Sequence, residues 1–412
     1  MTPTTTTAGN DSIGSAELSY PMERRCPFDP PPELALLRAE RPITRVRLWD
    51  GSSPWLVTRY ADIRKLLVDP RVSADDTRPG YPFVAPGIRA QRLKSQTFIT
   101  MDDPDHARHR KMVLGEFTVR ATESLRPLVE KIVDDLLDAM ERGPRPVDLV
   151  EAFALPLPSM VICRMMGVPY ADHDFFQSRS RDAVVDNTVS PEVALRASAE
   201  LEEYLSRLMT AREAEPTDDL LGRLAQRYVL TGRLSREEAV AMALMLLIAG
   251  HESTANMIAL GMLALLQYPE QAAEVRDGDP SVVKSAVEEL LRLLTVSHSG
   301  RRRAALEDIE IGGVTIRAGE GIIGAGDSAN RDEAAFESPD ELDIHRSTNH
   351  HFTFGFGVHQ CLGQPLARLE LQVAYPALLR RFPDLHAALP LEQLRFRNEM
   401  AFYGVHALPV SW

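Results

Sequence analysis

Alternating apolar and polar positions mark the first elements. Thr44-Arg45-Val46-Arg47-Leu48 and Trp55-Leu56-Val57-Thr58 read as two strands, and Asp50-Gly51 between them reads as a hairpin turn. Asp62 to Val68 takes helical spacing. Arg71 to Gln96 is punctuated by Pro and Gly and reads as a long loop, a feature that compact proteins tend to reserve for function. Pro104 to Met209 is mostly helical, broken by Pro144, Pro146, Pro156, Pro158 and Pro169. The clearest helix start is Ser235 with Glu238, a capping box ahead of an apolar run that ends near Tyr268-Pro269. That helix has about 33 residues and, at ~1.5 Å each, a length of roughly 50 Å. Val282 to Leu294 gives another helix. Ile309-Glu310-Ile311, Val314-Thr315-Ile316 and Gly321-Ile322-Ile323 form a second β region, and a last helix runs from Leu362 through Leu379. There is no internal repeat and no dividing linker. The pattern predicts a mainly α fold with small β-sheets, with a disordered tail over 1–19 and a single domain over 20–412.

One segment, Ala239 to Leu266, is long and apolar enough to cross a bilayer. His251, Glu252, Ser253, Thr254 and Asn256 fall in its middle, where charge is costly in lipid. A helix buried in a protein core, with a polar notch, fits better. Hydrophobic residues make up 44% of the chain, ample for a large core, and the 25% of charged residues is ordinary. The net charge of -13 argues against a nucleic-acid partner. The N-terminal residues lack the basic start and apolar stretch of a secretory signal. The 3 cysteines, Cys26, Cys163 and Cys361, are too few and too scattered for a disulfide framework and fit a reducing cytoplasm.

The chemistry concentrates near the C-terminal end, in Phe354-Gly355-Phe356-Gly357-Val358-His359-Gln360-Cys361-Leu362-Gly363. Cys361 stands between a glycine-bent loop and a helix, whose N-terminal N–H groups and dipole favour a thiolate. Read alone, such a residue is an ordinary buried cysteine or a metal ligand. Zinc is disfavoured, because His359 and Cys361 supply too few ligands. A second notch, Ala249-Gly250-His251-Glu252-Ser253-Thr254, interrupts the long apolar helix. Glu289 and Arg292 share a helix face at i and i+3, and so do His106 and Arg110 at i and i+4.

The ten-residue cysteine loop resembles the haem-ligand loop of the cytochrome P450 family, and the other motifs follow in that family's order. The resemblance runs from about Tyr20 to Trp412 and looks closest to the soluble actinomycete members. It implies a P450 fold with haem b between the long central helix and the helix after the cysteine loop. Cys361 would be the axial thiolate, with Phe354, Gly355 and Gly363 framing the porphyrin. His106, Arg110, Arg303 and His359 would hold the propionates, with Arg303 matching the arginine of Arg-x-Ala-x-Glu-Asp. Ala249, Gly250, Glu252 and Ser253 would form the oxygen-activation site. There a local helix distortion would free a carbonyl, Glu252 would feed protons from solvent, and Ser253 would stand where most relatives carry Thr. Glu289 and Arg292 would pair inside the fold with Arg346. Val296, His298, Leu247 and Phe402 would meet substrate, with further contacts from 73–97, 175–187, 243–253, 294–299 and Ala401-Phe402-Tyr403; Arg78, Arg89 and Arg92 in the first of these either meet an acidic group or are solvated loop arginines.

The implied reaction is insertion of one atom of O2 into a C–H bond of a bulky hydrophobic natural product or xenobiotic, by a cytoplasmic monomer. The chain carries no flavin, nicotinamide or cluster motif, so electrons would come from a ferredoxin and its NAD(P)H-dependent reductase. Docking would use Arg108, Arg110, Lys111 and Arg120, with His350 and Arg346. A haem-thiolate enzyme resembling nitric-oxide reductases and a haem sensor without turnover are the other readings, and the acid–alcohol pair Glu252-Ser253 argues against the first.

Overall fold

The computed structural model describes residues 18–86, 89, 96–183, 191–347, 349–398 and 400–412. Helices dominate, with three small sheets among the described residues. The largest sheet has six strands in the order β1-β2-β3-β9-β6-β4: β1 (Leu18–Ser19), β2 (Ile43–Arg47), β3 (Trp55–Val57), β4 (Val72–Ser73), β6 (Arg301–Ala305) and β9 (Gly321–Gly324). The Asp50-Gly51 hairpin is present, with Ile43 opposite Val57 and Arg45 opposite Trp55. The Gly312-Gly313 turn joins β7 (Ile309–Ile311) to β8 (Val314–Ile316) in a two-stranded sheet. The third sheet orders β10 (His386–Ala387), β11 (Pro409–Ser411) and β5 (Val147–Asp148).

The expected tail over 1–19 needs one correction. Leu18 and Ser19 form β1, paired in parallel with Val46 and Arg47, because the edge of β2 offers unpaired backbone groups. Residues 1–17 lie outside the described residues.

The long helix spans Arg236–Gln267 and begins at the expected capping box. Glu238 N donates to Ser235 Oγ at 3.1 Å, and Ser235 N donates to Glu238 Oε2 at 2.8 Å. It is long and apolar enough to span a membrane, yet most of it is buried among other helices. Gly261 permits its close contact with the C-terminal helix Gln364–Arg381. A Cβ there would stand 2.0 Å from the Tyr375 hydroxyl, which donates to Met257 O at 2.6 Å. The helix is unbroken through 249–254, so the distortion expected at Gly250 is not present. Ser253 Oγ donates to Ala249 O at 2.9 Å, which already occupies the carbonyl that a kink would have freed.

The helix Pro280–Leu294 starts two residues before the predicted position, because Asp279 caps the amides of Ser281 and Val282. At its far end Glu289 and Arg292 are fully buried and joined by two bonds of 2.7 and 2.8 Å. Arg346 Nε donates to the same carboxylate at 3.0 Å, so the three residues do come together. Arg292 also donates to the carbonyls of Asn330, Pro339 and Glu341. Burial works against the Glu289 carboxylate, but Arg292 and then Arg346 outweigh it and hold the group below the ordinary range. Arg346 is therefore a scaffold residue. Its side chain is 8% exposed, which removes it from the expected docking face.

Candidate active site

Two adjoining cavities lie between the long helix, strand β6 and the C-terminal helix. The inner cavity is about 310 Å³ and the outer about 380 Å³, and they share Met245, Ala249, Arg301, Arg303 and Phe402 among their walls. Met245, Ala249 and Ser253, spaced four apart on the long helix, present one face to the inner cavity. Leu247 lies about 200° around the helix from Met245, and it packs in the apolar core instead of meeting either cavity.

Cys361 is deep in the molecule, and its surface opens onto the inner cavity. The loop before it is shaped by two left-handed glycines, Gly355 (φ 71°) and Gly357 (φ 76°). A Cβ on Gly357 would stand 2.6 Å from Leu67 O. Cys361 N donates to Phe354 O at 2.8 Å, which closes the loop. Gly355 does not line the cavity, so its glycine serves the turn, whereas Phe354 and Gly363 do line it. A Cβ on Gly363 would meet nothing within 4 Å and would project into open cavity.

The helix begins at Gln364, later than predicted, with Gly363 as its cap. This weakens the expected stabilisation of a thiolate by the helix end. Burial pushes the Cys361 thiol up, and the Gly363 amide with Arg301, Arg110 and Arg368 only partly reverses that. A cation bound to the sulfur would supply the rest, since a ligating thiol gives up its proton.

One end of the inner cavity is basic. The helix Asp105–Leu114 brings Arg110 there, and its Nη2 donates to Gln360 O at 2.6 Å. His106 and His359 face each other with ring centroids 4.1 Å apart. His106 Nδ1 meets Asp103 Oδ1 at 3.0 Å, and its Nε2 is buried without a partner. Burial holds His359 down to about 3, helped by Arg303, His106 and Arg110, so the ring is neutral and can donate one N–H. Arg303 lines both cavities. The expected set of Arg110, Arg303, His106 and His359 is thus brought together. A donor-rich end, an apolar body and a thiol on one wall fit a haem with its two propionates.

Glu252 does not open to solvent. It is 1% exposed, and Arg397 Nη1 donates to its Oε2 at 3.1 Å. Nothing local in the sequence points to Arg397, which stands 145 residues away. Sequence reasoning also passed over Arg301. It lies two residues before Arg303 and so shares its strand face, a signal the period of two could have given. Arg301 donates to Ser297 Oγ at 2.9 Å and to Thr353 O at 2.7 Å. Glu370 was missed as well. It lines the inner cavity from the C-terminal helix, and burial pushes its carboxyl well above the usual range.

Of the expected substrate contacts, Val296 lines the inner cavity and Phe402 lines both. His298 lines neither. Its Nε2 meets Met400 O at 2.7 Å, its ring lies against Tyr403, and burial with nearby Arg24 holds it down to about 4. It is a buried tie between two segments. Tyr403 likewise packs under Arg24 and does not face the cavities. Residues 87–88, 90–95 and 184–187 of the expected contact loops lie outside the described residues. Arg78 and Arg89 pair with Asp75 and Asp50.

The comparisons agree with this geometry. The family model "Cytochrome P450" matches residues 40–278 and 279–388. Cytochrome P450-SU2 of Streptomyces griseolus is 51% identical over 397 residues, covering 96% of this chain and 97% of that relative. Cytochrome P450 GfsF of Streptomyces halstedii is 49% identical over the full length of both chains, and its crystal structure superposes with a TM-score of 0.91 over 96% of this chain and 100% of that one. The crystal structure of the mycinamicin VIII C21 methyl hydroxylase MycCI of Micromonospora griseorubida, bound to mycinamicin VIII, gives a TM-score of 0.90 at 41% identity, over 96% of this chain and 100% of that chain. A cysteine opening onto a buried, basic-ended cavity is what such enzymes need, and the chain belongs to the cytochrome P450 family of haem-thiolate monooxygenases.

Proposed function

We propose that this monooxygenase hydroxylates a bulky, largely hydrophobic natural product or xenobiotic, as a single-domain cytoplasmic monomer that draws its electrons from a ferredoxin and a NAD(P)H-dependent reductase. The observation that carries the reading is the Cys361 sulfur facing a buried cavity that continues into a larger one. MycCI, a mycinamicin VIII C21 methyl hydroxylase whose crystal structure contains mycinamicin VIII, shares the fold at 41% identity and supports a substrate of that bulk.

Cys361 would hold the iron, and Arg110, Arg303, His106 and His359 would hold the propionates. Haem bound there supplies reductive activation of O2 and transfer of one oxygen atom to a C–H bond. The protein aims and supplies protons. Ala249 and Gly250 keep the helix wall thin next to the cavity. Ser253 presents a hydroxyl at that wall, and a turn about its Cα–Cβ bond releases Ala249 O and frees its proton for a molecule in the cavity. Glu252, once it leaves Arg397, takes a proton from water admitted through that opening and passes it to Ser253, which restores the hydroxyl. The pair acts as a gate instead of an open channel. Apolar walls at Met245, Val296 and Phe402 exclude water and hold the substrate.

Reduction takes place from the face of the cysteine loop. Arg110 and His106 dock the helix Asp105–Leu114 against that loop, which leaves Arg108 and Lys111 exposed, and Arg120, His350 and Val358 are exposed as well. Exposed basic side chains on this helix fit an acidic ferredoxin. The test is turnover of macrolides, polyenes, terpenoids and polyketides with ferredoxin, reductase and O2. The reading predicts oxygenated product and a reduction rate that falls with salt. No product across the series, or a salt-independent rate, would contradict it.

A further inference from the structure

Strand β6 carries Arg301, Arg302 and Arg303 in succession. Among the described residues, none of these guanidinium groups forms an ion pair with a carboxylate. Arg301 and Arg303 bond only neutral oxygens, Arg303 at 2.7 Å to the carbonyl of Arg302. Arg302 Nη1 is buried and has no partner. Arg301 and Arg303 share one strand face and Arg302, in register with Ile323, stands on the other, but all three contribute to the wall of the outer cavity, and Arg302 contributes to that cavity alone. Thr97 Oγ1, also buried and without a partner, lines it too. Among the described residues, the single acidic residue on its walls, Glu202, is exposed on the helix Pro191–Ala214.

Three adjacent, partly buried like charges that pair with no carboxylate, Asp102 acting on Arg303 only from a distance, are an unfavourable arrangement unless an anion completes it. Of the four cations around the two cavities, the two haem propionates would offset Arg110 and Arg303, and the Cys361 thiolate would be balanced by the ferric porphyrin core, with Arg301 beside the sulfur. Arg301 and Arg110 are the ones whose charge reaches Cys361 most directly. Arg302 remains. We propose that the outer cavity contains an anion subsite: the substrate carries a carboxylate that Arg302 binds and Thr97 Oγ1 supports, while its apolar body lies against Met245, Ile248 and Phe402. This rests on the monooxygenase reading for the identity of the occupant as substrate. It adds the chemical class that the apolar walls leave open.

The experiment is a ligand titration of the ferric holoenzyme with laurate and lauramide, which share a chain and differ in charge. Binding is read by the haem spin shift and by calorimetry. Laurate is expected to bind at least roughly tenfold tighter, the worth of about 1.4 kcal/mol for one charge-assisted contact. Arg302→Met should abolish the preference and leave lauramide affinity, haem content and the carbon-monoxide spectrum unchanged. Arg302→Lys should retain part of the preference. Equal binding of the two ligands, no measurable laurate binding, or an undiminished preference in Arg302→Met would overturn the subsite. None of these readouts requires turnover. Failure of the subsite would therefore leave the monooxygenase reading intact, and absence of product with every compound would sink that reading alone.

Discussion

Two sets of buried arginines behave in opposite ways. Arg292 and Arg346 grip one carboxylate, Glu289, and Arg292 spends its remaining N–H groups on three carbonyls. Arg301, Arg302 and Arg303 meet no carboxylate among the described residues. The first set is complete without any ligand, and it pins the segment after Pro339 to the helix Pro280–Leu294. The second is incomplete, and it lines the cavities. A saturated guanidinium marks scaffold, and an unsaturated one marks a place where the protein awaits an anion. The residue type is the same, and the partner inventory is what separates structure from function.

Predictions that break or sharpen this contrast differ in size. The largest is Glu289→Ala, which strands two buried cations. It should cost about 3–5 kcal/mol and depress haem content, measured by urea unfolding and the pyridine haemochrome. A stability within ~0.5 kcal/mol of the parent would erase the distinction. Ser253→Ala tests the rule on a hydroxyl. Its bond to Ala249 O would class it as scaffold, whereas the proposed proton relay makes it functional. It should keep haem and raise the peroxide released per electron pair several-fold, and unchanged coupling would remove Ser253 from the mechanism. Arg301→Met should make the haem potential more negative by roughly 40 mV, the equivalent of about 1 kcal/mol, because a cation near the sulfur is lost. A potential unchanged or shifted positive, read by spectroelectrochemistry, would count against it.

The smallest effect concerns Glu288. Arg368 Nε and Nη2 hold it at 2.6 and 2.9 Å, and His351 Nε2 meets it at 3.2 Å. Burial alone would raise its pKa, but these partners outweigh burial and pull it down to about 2. A depressed carboxyl contributes stability that is fully present above its ordinary value of 4.5 and is lost as pH falls toward 2. Glu288→Gln should flatten the acid limb of the stability–pH curve in that window, and an unaltered limb would contradict the assignment.

The legible parts of the molecule were those whose physics is local. Ser235 and Glu238 sit three residues apart and cap each other, so the long helix starts where the sequence says. Gly355 and Gly357 adopt backbone that other residues resist, and they bend the loop that presents Cys361. What escaped depends on distant partners. Arg397 meets Glu252 only through the tertiary fold, and no spacing encodes it. His298 looked like a pocket residue from its place in the chain, but a carbonyl 102 residues on draws it inward. Leu247 was misassigned because a helical stretch was taken whole, when one face of it meets the cavity and the opposite face meets the core. Strand β1 took two residues from the expected tail because the open edge of β2 recruits them.

The account stands on the sulfur of Cys361. The decisive measurement is the carbon-monoxide difference spectrum of the dithionite-reduced protein, taken beside that of Cys361→Ser. The parent should show the red-shifted Soret band of a thiolate-ligated carbonyl, and the variant should not. A parent without that band, or a variant that keeps it, would contradict the assignment.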